Sequence, residues 1–161
     1  MAYLIKELGD GHYWVNEPKL TIDFPLRIVG DEKDPSHVII ELSGTVFWKA
    51  KHGWMEGVTL RRPKILSNDN SASDILRILD GGVFDMFHCV LDNEGHRGNV
   101  SVLKGLGTHA HWKNVTVRGD CSQGCGILLE DNSVIELENV SNKDLCIFTI
   151  SNFFILSIQH Y

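Results

Sequence analysis

The sequence contains no apolar run of the ~18–20 residues that a membrane-spanning helix requires, so no such helix is expected. Cysteine is sparse. Cys89, Cys121, Cys125 and Cys146 have no disulfide-framework spacing in a chain of 161 residues, so reduced thiols are expected. Positive charge is also short: 15 Lys+Arg against 21 Asp+Glu give a formal net charge of -6. That balance supplies no global positive field to attract nucleic acid or anionic lipid. The opening stretch, MAYLIKELGDGHYW, lacks both the uninterrupted apolar segment and the small-residue cleavage site of a secretory signal. Together these absences point to a cytoplasmic or nuclear protein with neither membrane nor nucleic acid as partner.

What is present is an ordinary globular composition, 43% hydrophobic and 22% charged, in a chain long enough to bury one sizeable core. It is also repetitive. GWMEGVTLRR, FDMFHCVLDN, HAHWKNVTVRG and VIELENVSNK each read as a short strand, a polar break and a second short strand. Aligned on the residue after the break, Val58, Cys89, Val115 and Val140 are spaced by 31, 26 and 25 residues. Three residues earlier stand Met55, Met86, Trp112 and Leu137; five earlier stand Gly53, Phe84, Ala110 and Ile135. Two residues beyond the aligned position come Leu60, Leu91 and Val117. Alternation by two on each side of the break means short strands with one buried face.

The break column is Gly57, His88, Asn114 and Asn139. Glycine accepts a positive φ without steric cost, and Asn and His are enriched there among the other residues. A left-handed residue here turns the chain sharply between two strands. A third strand per repeat is found in TVFWKA, ILRIL, SVLK and GILLE, carrying Phe47, Ile78, Leu103 and Leu129, with Leu103 one residue out of register. A recurrence every 25 or so residues argues for a solenoid over independent hairpins. The expected fold is therefore all-β: a single-stranded, right-handed parallel β-helix of about four to five coils, each pairing its backbone with its neighbours.

The opening segment, YLIKELGDGHYWVNEPKLTIDFPLRIVGDEKDPSHVIIE, resembles the first coil of pectin-lyase-like β-helix proteins. Their order is a short helix, a Gly-Asp turn, a strand, L-x-I-x-x-P-L-x-I-x-G and V-x-I, supplied here by Leu4–Leu8, Gly9–Gly11, Tyr13–Val15, Leu20–Gly30 and Val38–Ile40. The resemblance covers roughly residues 3–141. It implies a short N-terminal helix as cap, an opening coil over 1–44 and repeat coils over 45–141. It is similar in particular to the intracellular β-helix repeats of F-box substrate adaptors and related scaffold proteins, which implies a protein partner. No F-box is visible. Residues 142–161, DLCIFTISNFFILSIQHY at their core, break the repeat grammar and form an atypical hydrophobic tail, either a cap, an edge for oligomerisation or a truncated end.

Catalysis is tested on residues. Glycoside hydrolysis needs two carboxyl groups about the scissile bond. The chain has His52–Gly53 but neither the Asp-Asp pair nor the Asn-Thr-Asp run that relatives use, and the acidic run Asp31–Asp34 reads as a solvated turn. No enzyme and no cofactor are expected. The outward column on the second strand, Trp54, Asp85, His111 and Glu136, sets an aromatic beside carboxylates and could hold a sugar. His109 and His111 face outward from one strand, with Cys121 and Cys125 following, but the loose spacing favours a surface reading over zinc. Asn99, Asn114 and Asn139 begin glycosylation-type triplets, and the last two are explained as turn residues.

The longest variable segments are Arg61–Ser73, Asp92–Asn99 and Arg118–Gly126. Loops on a rigid scaffold often carry binding, and these hold Arg61, Arg62, Lys64, His96, Arg97 and Arg118. Such a basic cluster on an acidic protein fits an acidic peptide, because guanidinium forks match carboxylate and phosphate geometry. With Trp54 and His111, these are the candidate binding residues. The expected function is a non-catalytic module that recognises another protein; the alternative is a protein that binds or cleaves carbohydrate.

Overall fold

A computed structural model of the chain describes residues 3–63, 74–93, 95–119, 124, 126–142, 147–149 and 156–159. Alternating apolar residues produce strands that wind as a parallel β-solenoid of about five turns. The first coil comprises β1 (Leu4–Glu7), β2 (Gly11–Val15) and β3 (Lys19–Ile22); the second, β4 (Leu26–Val29), β5 (Val38–Leu42) and β6 (Thr45–Trp48). Then come β7 (Gly53–Glu56), β8 (Thr59–Arg61) and β9 (Leu76–Leu79), followed by β10 (Val83–Phe87), β11 (Val90–Asp92) and β12 (Ser101–Lys104). The next coil holds β13 (His109–Lys113), β14 (Thr116–Arg118) and β15 (Ile127–Glu130). Beyond it lie β16 (Val134–Glu138), β17 (Ser141–Asn142), β18 (Ile147–Thr149) and β19 (Leu156–Gln159). Among the described residues every third strand stacks in one sheet, giving three parallel sheets of seven, six and six strands. The strands within residues 142–161 extend the same ladders: β18 pairs with β15 and β19 with β16.

The inward columns lie where the alternation puts them. Met55, Met86, Trp112 and Leu137 are successive partners across β7, β10, β13 and β16, and all four are buried. The break residues Gly57, His88, Asn114 and Asn139 have φ of 64°, 50°, 54° and 50°. The Asn114 amide nitrogen lies 3.3 Å from His88 Nε2, so these turns touch from coil to coil. Gly57 has a second constraint: a Cβ there would stand 2.3 Å from the Asp31 carbonyl carbon of the preceding coil. A left-handed conformation and a close backbone together leave only glycine.

The same crowding shapes the column Gly53–Phe84–Ala110–Ile135. Trp48 fills the space above Gly53 and packs against Phe84 with ring centroids 4.3 Å apart. Small residues at Gly53 and Ala110 make room for large neighbours, and the apolar side chains from Ile22 to Leu137 join in one continuous cluster.

Two expectations are corrected. Leu103 is in register, paired with both Ile78 and Leu129. The residue out of line is Phe47, because Ile78 pairs with Trp48. Trp48 is 1% exposed, while Phe47 points outward with Lys19 Nζ 4.8 Å from its ring centre. No helix caps the N-terminus either: Leu4–Glu7 is strand β1, in parallel register with β4. Leu4 and Leu8 stand at a helical spacing, but so short a helix does not nucleate alone, whereas β4 offers its backbone ready partners. Among the described residues no strand pairs with the outer edge of the first coil. Tyr3, Leu4, Ile5, Trp14 and Phe24 are exposed, and an apolar cavity of about 140 Å³ is lined by residues including Leu20, Ile22, Leu26 and Ile28.

Candidate functional site

Of the basic residues singled out from the sequence, Arg61, Arg62, His96, Arg97 and Arg118 lie on one side of the solenoid, where β8, β11 and β14 lead into β9, β12 and β15. Their charges are largely matched inside the protein. On the outer face of the second sheet, cross-strand register aligns Glu41, Arg61, Asp92 and Arg118 in one column of alternating sign. Arg61 Nε donates to Glu41 Oε1 at 2.7 Å, and Arg118 lies 3.7 Å from Asp92. Opposite charges on neighbouring strands stabilise a sheet. Arg62 acts on the backbone instead. Its Nη2 donates to the carbonyls of Gly44 at 3.1 Å and Asp74 at 3.0 Å, clasping the turn before β6. Burial, with the Arg62 charge nearby, holds the His96 imidazole below its ordinary pKa. Arg97, the next residue, is exposed. Lys64 lies outside the described residues.

Sequence reasoning missed the residue that organises this corner. Asp74, 3% exposed, accepts from Arg77 Nε at 2.5 Å and from the Asn99 backbone and side-chain nitrogens at 2.8 and 2.9 Å. Its carbonyl takes the Thr45 hydroxyl at 2.7 Å. The only signal for it was position, just ahead of a strand.

Trp54 and His111 stand elsewhere, on the outer face of the first sheet. Register places Arg27, Trp54, Asp85, His111 and Glu136 in one outward column. A second column brings Glu56, Phe87, Lys113 and Glu138 beside it. The two interlock: Phe87 stacks on Trp54 at 4.1 Å and meets His111 edge-on at 5.6 Å. The Arg27 guanidinium lies 5.2 Å from the Trp54 ring centre. Phe87 and Arg27 were not foreseen, because contacts between columns depend on lateral register that no single strand reveals.

The polar groups of this face are tied to one another. Trp54 Nε1 donates to Glu56 Oε2 at 3.1 Å, and Arg27 approaches the same oxygen at 3.7 Å. His109 Nε2 is 3.3 Å from Glu136, and Lys113 is 2.7 Å from Glu138. Asp85 is half-buried among the rings, and that burial raises its carboxyl above the ordinary value against the opposing pull of His111 and His109. Asp85 and Glu136 flank His111 two strands apart, roughly 9–10 Å between backbones.

For metals, His109 and His111 are placed on this face, while Cys121 and Cys125 lie outside the described residues. Asp10, Asp31 and His37 bring donor atoms within 4.8 Å of one another at stacked turns of the first two coils. His37 Nδ1 already engages Asp31 Oδ2 at 2.8 Å, and Asp31 Oδ1 accepts the Lys33 N–H at 2.8 Å, so two of the three groups are already paired within their own turn. The Cys89 thiol points into the core, and burial pushes its pKa up to about 12, removing it from nucleophilic chemistry. No helix of the described residues is long and apolar enough to cross a membrane.

No protein-family model, curated protein or solved structure matches the chain.

Proposed function

We propose that the chain is a non-catalytic interaction module of scaffold or substrate-adaptor type, working in the cytoplasm or nucleus. It recognises another protein through the outer face of the sheet formed by β4, β7, β10, β13 and β16. In this reading the solenoid is right-handed and of the pectin-lyase-like kind, as the grammar of the opening coil suggests. The observation that carries the proposal is the interlocked strip of Arg27, Trp54, Phe87 and His111. Aromatic residues and Arg are the side chains enriched at the buried centres of protein contacts. They stand here on a stacked sheet that needs no reordering to bind, which lowers the entropic cost of association. The basic corner is the weaker surface, since Arg61, Arg62 and Arg118 have internal partners.

The test is affinity capture from cell extract with quantitative mass spectrometry. Trp54→Ala/Phe87→Ala is compared with wild type and with Arg118→Ala on the neighbouring sheet. Partners enriched by wild type and by Arg118→Ala, but lost in the aromatic double variant, are expected. Equal recovery by all three would remove the face from consideration.

One observation favours the carbohydrate reading: Asp85 and Glu136 share a column beside Trp54 at a spacing compatible with two carboxyl groups acting on one glycosidic bond. Binding or turnover of a polysaccharide panel, abolished by Asp85→Asn, would put that reading first.

A further inference from the structure

On the outer face of β7, β10, β13 and β16, three of the four carboxylates have a basic side chain at hand. Glu56 has Arg27 at 3.7 Å, Glu136 has His109 at 3.3 Å and Glu138 has Lys113 at 2.7 Å. Asp85 enters no ion pair with a described residue. It is half-buried and lies among rings: Trp54 precedes it in its column, His111 follows, and Phe87 touches both of those rings. A carboxylate walled by rings is poorly solvated and gains most from a partner that pairs with its oxygens while lying against aromatic faces. Guanidinium and ammonium groups do both. The face already shows this mode once, in the Arg27 guanidinium that lies by the Trp54 ring and pairs with Glu56.

We infer that Asp85 is the docking point for an arginine or lysine side chain carried by a basic segment of the partner protein, seated against Trp54, Phe87 and His111. The inference rests on this face being the interaction surface, and charge complementarity selects the occupant. The acidic peptide suggested by the basic corner would meet the wrong sign here.

The test is an NMR titration of the full ¹⁵N-labelled chain with acetyl-Gly-Arg-Gly-Arg-Gly-Arg-amide. The same peptide with Glu for Arg, and a mixture of neutral and acidic oligosaccharides, are run in parallel. Saturable shifts of the Trp54 indole and the Asp85 and His111 amides are expected with the arginine peptide alone, fading as salt rises. Asp85→Asn weakens that binding about twofold to fivefold, the range for one partly solvated charge pair, while Asp85→Glu largely retains it. Near-UV circular dichroism verifies that both variants keep the wild-type fold. Unchanged affinity in Asp85→Asn, or equal shifts with the glutamate peptide, overturns the inference. Shifts with an oligosaccharide but not with the arginine peptide overturn it in favour of the carbohydrate reading. Failure of the interaction-face reading is a separate result: partner capture that survives Trp54→Ala/Phe87→Ala.

Discussion

Replacing Gly53 by alanine tests the packing of the solenoid at its tightest point. The added methyl would lie 2.1 and 2.4 Å from Trp48 ring atoms and 2.5 Å from Phe84 Cδ2. Carbon atoms in contact sit about 3.5–4.0 Å apart, so both rings must retreat by about an ångström or more. They are 1% and 2% exposed, and the nearest relief is the apolar cavity that both line. Overpacking of a core costs about 1–3 kcal/mol, and disturbing the aromatic pair adds about 0.5–1.5 kcal/mol. Against this, the stiffer unfolded chain returns about 0.4–1 kcal/mol. The net expectation is a loss of about 2–3 kcal/mol, or a fall in Tm of roughly 5–10 °C for a chain of this length. Urea unfolding followed by tryptophan fluorescence measures it. Gly9→Ala, where nothing lies within 4 Å of the new atom, is the matched control and should not destabilise. In a Phe84→Leu background the Gly53→Ala penalty should shrink by about 1 kcal/mol, since the two sites share one clash. A Gly53→Ala protein as stable as wild type, or a penalty indifferent to Phe84, would refute this account of the core.

Three further outcomes are expected. Arg61→Ala should destabilise by about 2–4 kcal/mol, because it strands Glu41, whose side chain is 6% exposed, whereas Arg118→Ala, which removes a 53% exposed side chain 3.7 Å from its acid, should cost under about 1 kcal/mol; urea midpoints of the two variants decide. Asn114→Val should cost about 1–2 kcal/mol and Asn114→Gly nearly nothing, since φ is 54° there, and equal thermal stabilities would contradict the turn assignment. The Asp85 carboxyl is raised above its ordinary value of 3.8 by burial, so folding favours its protonated form. Its stabilising contribution is therefore present below pH 3.8 and lost as pH rises through the elevated folded pKa. Asp85→Asn should raise Tm at neutral pH and lose that advantage below pH 3.8; a constant difference across a pH series of melts would contradict it.

What was legible in the sequence is what depends on neighbours along the chain. Met55, Met86, Trp112 and Leu137 could be aligned because a period of two and a turn residue are local properties, and Gly57, Asn114 and Asn139 announce their backbone by residue type alone. What was hidden depends on neighbours across the ladder. Leu4–Glu7 pairs with Leu26–Val29, and nothing within four residues discloses that. In TVFW two adjacent aromatics compete for one inward position, and only the partner strand selects Trp48. Arg61 and Arg118 read as free cations for the same reason: their acids, Glu41 and Asp92, are 20 and 26 residues away in sequence but one strand away in space. The strip of Trp54, Phe87 and His111 needed register in two columns at once.

The alternating column of Glu41, Arg61, Asp92 and Arg118 also acts as a parity check on the architecture. Excise the single winding that carries Arg61, and Glu41 would abut Asp92; excise two successive windings, and acid again meets base. Loss of one winding from inside this column therefore sets like charges on neighbouring strands, and loss of two adjacent ones does not.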